Sequence, residues 1–90
     1  MQPTTDEIAD RILELCQQRG PEKTICPSEA ARGLAKARVD LDWRDLMEPV
    51  RQVAGRLARE GRIGVCQKGR VFDIAEARGP IRIRWRPSPA

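Results

Sequence analysis

Apolar residues recur at steps of three and four near the start of the chain: Ile8, Ile12, Leu15 and Cys16. That spacing puts them on one face of a helix. Thr4 and Glu7 stand ahead of this stripe at capping-box spacing, in which each side chain satisfies a free backbone N–H of the first turn. Asp6, Glu7 and Asp10 suit the positive end of the helix dipole. Gly20 and Pro21 stop the pattern, so the first helix is predicted over 5–19. A short extended piece follows at Lys23-Thr24-Ile25. Pro27 disfavours helix at Cys26 but suits a first helical position itself. A second helix is therefore predicted over about 27–37, with Glu29 in its first turn and Ala30, Ala31 and Leu34 on its apolar face. The alanines are small enough to let another helix approach closely.

Residues 38–42 read as a turn with Asp42 as an N-cap. The third helix is predicted over 43–60, closed by Gly61, with a buried stripe of Leu46, Val50, Val53, Ala54 and Leu57 and with Trp43 and Met47 at its entrance. Pro49 is the irregular feature, because a proline inside a helix removes a hydrogen bond and clashes with the preceding turn. Two readings stay open: a kinked helix, or a short turn at 43–47 followed by a helix starting near Glu48.

After Gly61 the period changes from helical to alternating. A two-residue turn at Lys68-Gly69 sets Val65 opposite Phe72 and Ile63 opposite Ile74, with all four on one side of the ribbon. Cys66 then falls on the other side and is expected to be partly exposed. A rival register pairs 62–67 directly with 81–86 and leaves 69–80 as a long wing loop. Ile81, Ile83 and Trp85 alternate with Arg82, Arg84 and Arg86, which makes a strand with one apolar and one cationic face. Trp43 and Trp85 are expected in the core, and residues 87–90 are expected to be disordered.

Helix, short strand, helix, turn, longer helix, hairpin and final strand can share one core only as helices packed on one side of a small sheet. The predicted class is α+β: a winged helix-turn-helix, three helices on a small antiparallel sheet, forming a single domain with its core at about 5–86. Pro27-Ser28-Glu29-Ala30-Ala31-Arg32 resembles the second helix of many such domains, and Leu57-Ala58-Arg59-Glu60-Gly61-Arg62-Ile63 resembles their third helix running into the wing. A closer resemblance rests on Cys26-Pro27-Ser28-Glu29, Trp43-Arg44-x-Leu46-Met47, Val50-Arg51, Leu57-x-x-x-Gly61-x-Ile63, Gln67-Lys68-Gly69 and Arg78-Gly79-Pro80-Ile81-Arg82. Over residues 24–86 the chain is similar to a family of small bacterial winged-helix domains of uncharacterised function. That resemblance implies the fold and brings no activity with it.

Composition narrows the chemistry. The three cysteines form no CxxC, and there is no histidine. Zinc sites want four soft ligands, usually in close pairs, so neither a metal nor a cofactor is expected. A secretory signal and an apolar run of bilayer length are both missing from the pattern, which predicts a cytoplasmic protein with reduced, structural thiols and no membrane partner. Histidine and tyrosine are both absent, and no nucleophile motif or phosphate-cradling glycine loop occurs. Catalysis is not expected.

Charge points elsewhere. Net charge is +4. Residues 1–30 carry six acids against three bases, and residues 31–90 carry fourteen bases against seven acids. Fourteen of the seventeen bases are Arg, whose planar fork suits phosphate and carboxylate. The outward face of the third helix offers Arg44, Arg51, Gln52, Gly55 and Arg59, chemistry that fits base edges in a major groove. Asp45 and Glu48 dilute that face, and Arg44–Glu48 and Arg56–Glu60 stand at the spacing of ion pairs on a solvated helix. The wing adds Lys68 and Arg70, and the last strand adds Arg82, Arg84 and Arg86, fit for phosphate contacts. The expectation is a module for nucleic acid, most simply duplex DNA. Two rivals stand beside it: a solvated charged surface, and a protein-interaction or homodimer module that pairs through 81–86 as an edge strand.

Overall fold

A computed structural model of the chain describes residues 3–20, 22–36, 38, 40–67, 70–71 and 81–86, with residues 70–71 described by backbone alone. The first helix, α1, spans Thr5–Arg19. Its capping box forms as predicted: the Glu7 N–H donates to Thr4 Oγ1 at 3.1 Å and the Thr4 N–H donates to Glu7 Oε1 at 3.3 Å. Ile8, Ala9, Ile12, Leu13 and Cys16 form its buried stripe. The N–H of Gly20, at φ 88°, closes the last turn onto Cys16 O at 2.9 Å. After β1, Thr24–Ile25, α2 runs Pro27–Lys36 with Pro27 at its first position. Glu29 Oε2 accepts from the Cys26 N–H at 2.7 Å. Ala30 and Ala31 are fully buried where α2 meets the other helices.

The alternative at Pro49 resolves in favour of the split. Asp42 caps a 3-10 turn, Trp43–Leu46, by accepting the Arg44 N–H at 3.0 Å. The α-helix α3 then starts at Met47 and ends at Arg59. Pro49 is its third residue, a position whose N–H would have no partner within the helix, so its missing donor costs nothing. Gly61, at φ 76°, ends α3 in a Schellman turn. The Arg62 N–H donates to Leu57 O and the Gly61 N–H to Ala58 O, both at 3.0 Å.

The strands β2 (Ile63–Gln67), β3 (Arg70–Val71) and β4 (Arg82–Trp85) complete a four-stranded antiparallel sheet of order β1-β4-β2-β3. Both registers offered as rivals are present, because β2 has two edges. One edge pairs Cys66 with Val71 and Gln67 with Arg70, as a turn at Lys68-Gly69 requires. The other pairs Ile63 with Trp85 and Val65 with Ile83. The predicted partners Phe72 and Ile74, the loop through 80 and the tail 87–90 lie outside the described residues.

Three expectations are corrected. The strand at 81–86 is not an edge: Thr24 and Ile25 of β1 pair with Arg84 and Ile83, while β2 occupies the opposite side. Its backbone is therefore taken on both sides, and strand addition by a partner has no free ladder there. Cys66 is 7% exposed, not open to solvent. The two tryptophans are half-buried at the margin of the core. The core itself is aliphatic, with Ile12, Leu46, Val50, Ala54, Leu57 and Ile83 fully buried, and no buried polar or charged residue occurs among those described. The result is an α+β fold with three helices on a small antiparallel sheet and the element order of a winged helix. No described helix is long and apolar enough to cross a membrane.

Candidate nucleic-acid interface

Alternation along β4 sends Ile83 into the core and leaves Arg82 and Arg84 exposed, with exposed Arg86 just past the strand. Small residues flank them. Arg84 lies between Thr24 on β1 and Gly64 on β2, and Arg82 lies opposite Cys66. Successive arginines on one strand face stand about 7 Å apart. None of the described sheet residues is acidic. Arg82 is anchored, with its Nε donating to Thr24 Oγ1 at 2.9 Å and its Nη2 to Thr24 O at 3.2 Å. The stem of Arg86 packs over Gly64, where an added Cβ would lie 3.6 Å from its Cδ. The guanidinium groups of Arg84 and Arg86 have no hydrogen-bond or ion-pair partner among the described residues.

The α3 face is assembled as predicted except at its first member. Arg51, Gln52, Gly55 and Arg59 line a shallow groove of about 310 Å3 together with Glu48. Gly55 is buried, so its backbone forms part of the groove wall. Glu48 accepts from Gln52 Nε2 at 3.4 Å, so an acid shares the groove with the bases. Arg56 Nε stands 3.7 Å from Glu60 Oε2, the predicted pair. Arg44 is not part of this surface. It lies in the 3-10 turn, where the i,i+4 relation to Glu48 does not hold. Its guanidinium is 3.8 Å from Asp42 Oδ2 and 5.2 Å from the centre of the Trp43 ring.

Sequence reasoning missed Arg32, whose guanidinium carbon sits 4.4 Å from the same ring. Cation–π contact holds such a fork in place while leaving its N–H edge free. Only the packing of α2 on the 3-10 turn brings residues 32 and 43 together, and no spacing in the sequence signals it. Thr24 was also missed as the anchor of Arg82. Lys68 lies outside the described residues, and of Arg70 only the strand backbone is known.

The cysteines are Cys16, Cys26 and Cys66. All three are free thiols. Burial, and secondarily the negative charge of Glu29, pushes the Cys16 thiol up to about 11, so it stays protonated at neutral pH. No group of three or more metal-ligating side chains occurs among the described residues.

No curated protein matches the chain in sequence. A family does: residues 5–86 match the family described as a protein of unknown function, DUF3253, and the chain belongs to it.

Proposed function

We propose that this domain binds nucleic acid, with duplex DNA as the partner and the arginine face of the sheet as the main contact. The observation that supports it most is the row Arg82, Arg84 and Arg86, set among Thr24, Gly64 and Cys66 with no acid on the described sheet. The small neighbours leave Arg84 exposed between Thr24 and Gly64, while Arg82 is held in place by its two hydrogen bonds to Thr24. The α3 groove adds Arg51, Gln52 and Arg59, whose donors suit base edges. Its Glu48 makes it the weaker contributor to affinity.

Phosphate contacts release counterions, so the logarithm of affinity falls with the logarithm of salt by about 0.9 per contact on a duplex. Fluorescence anisotropy of a labelled duplex, titrated at several salt concentrations, is expected to give a slope of about −3 or steeper for three or more arginine contacts. A matched single strand is expected to bind more weakly. Undetectable binding to duplex at low salt overturns the proposal. Equal affinity for duplex and single strand overturns the duplex assignment.

A further inference from the structure

A second surface lies at the other end of β2 from the hairpin. Leu13 and Gln17 of α1, the Glu60–Arg62 corner and Trp85–Arg86 at the end of β4 border a groove of about 420 Å3. That is roomier than the groove on α3 and falls in the range of about 300–1,000 Å3 usual for small-molecule sites. Its walls are of two kinds. Leu13, 8% exposed, and half-buried Trp85 are its apolar lining. The Arg86 guanidinium and the Trp85 indole N–H supply donors with no acceptor among the described residues.

The charge balance selects the ligand. Arg62 Nη1 stands 3.8 Å from Glu60 Oε1, and the other Glu60 oxygen stands 3.7 Å from Arg56 Nε. Among the described residues that line the groove, Glu60 is the carboxylate and it lies within ion-pair distance of Arg62, while Arg86 has no ion-pair partner. The charged residues among the described lining, Glu60, Arg62 and Arg86, sum to +1, which a single negative charge balances. A guanidinium fork receives a carboxylate through two parallel hydrogen bonds.

We propose that this groove is a binding site for a small planar carboxylate, an aromatic acid of one or two rings, with its ring on Leu13 and Trp85 and its carboxylate on Arg86. The groove at the α1–β4 junction goes beyond the nucleic-acid reading but shares Arg86 with the arginine row, so its ligand is titrated with no nucleic acid present.

The two tryptophans make it testable on the whole chain. Nitrogen–proton NMR resolves one indole signal for each, and W43F assigns them. Titration with benzoate and with 2-naphthoate is expected to move the Trp85 signal saturably, at a Kd of about 1 mM or tighter, with naphthoate the tighter of the two. Benzamide and inorganic phosphate are expected to leave it nearly still. R86Q is expected to weaken naphthoate at least about tenfold, the loss of a charge-assisted pair. A shift that never saturates overturns the proposal, as does an equal response to benzamide or to phosphate, or unchanged affinity in R86Q. If R86Q loses its dispersed spectrum, the comparison of benzoate with benzamide on the native chain decides.

Discussion

Gly61 and Gly64 stand three residues apart and answer to different constraints. Gly61 holds φ 76° at the end of α3, in open space where an added Cβ meets nothing within 4 Å. Its requirement is conformational, because an L-residue in the left-handed region is strained by about 1–2 kcal/mol. G61A is expected to lower unfolding free energy by about 1 kcal/mol in urea denaturation. Gly64 sits in an extended strand, and a Cβ there makes ordinary contact with the Arg86 stem at 3.6 Å. G64A is expected to be neutral or slightly stabilising, since glycine within a strand costs backbone entropy. Cys16 gives a residue-scale prediction of another kind. Its thiol is raised from 9.0 to about 11 in the fold. Keeping it protonated is a stability term fully present below pH 9 and lost as pH rises through 11, because the unfolded chain ionises first. Unfolding free energy is expected to fall across that window, and C16A to flatten the fall in pH-dependent urea titrations.

At the scale of elements, Pro49 shows what periodicity can and cannot decide. The apolar stripe from Leu46 to Leu57 is continuous whether the helix starts at 43 or at 47, so the pattern alone left both readings open. Cap geometry at Asp42 and the switch from 3-10 to α at Met47 decide it. In the first turn of α3 the proline is free of its usual penalty, so P49A is expected to change stability by about 1 kcal/mol or less. Q52P, at an exposed position one turn further on, removes a helical hydrogen bond and clashes with the preceding carbonyl, for about 3 kcal/mol or more. Thermal unfolding of the two variants separates a first-turn proline from an interior one, and equal losses would refute the split. The sheet was legible in a similar way. Alternation identified β2 and β4 and both registers, but alternation describes the faces of a strand and says nothing of its neighbours. That β4 lies inside the sheet depends on β1, whose two residues carry too little pattern to announce a pairing.

At the scale of the whole molecule, the bases separate into two populations that composition could not distinguish. Arg11, Arg19, Arg38 and Arg56 pair with Glu14, Glu29, Glu7 and Glu60, and they tie helices to themselves and to one another. These use four of the thirteen acids, and none of the described sheet residues is acidic. The arginine strand was readable in the sequence because alternation alone exposes it. The pairing elsewhere was not, since Arg38–Glu7 and Arg19–Glu29 join positions that only the packing of α1 against α2 brings together. The division yields a test of which surface carries affinity and which carries selectivity. Arg84 has no partner to lose among the described residues, so R84Q is expected to leave stability within about 0.5 kcal/mol. It should weaken binding uniformly across duplex sequences and reduce the salt slope by about 1. Arg59, in the α3 groove, is expected to behave differently: R59Q should cost about 1–3 kcal/mol on preferred sequences and relax the preference itself. Binding of both variants to a panel of duplexes, read as affinity against salt, separates the two roles. An R84Q protein with an unchanged slope would move the phosphate contacts off the sheet. A uniform loss in R59Q would make α3 a second backbone contact, because an interaction that discriminates among base pairs cannot weaken all of them alike.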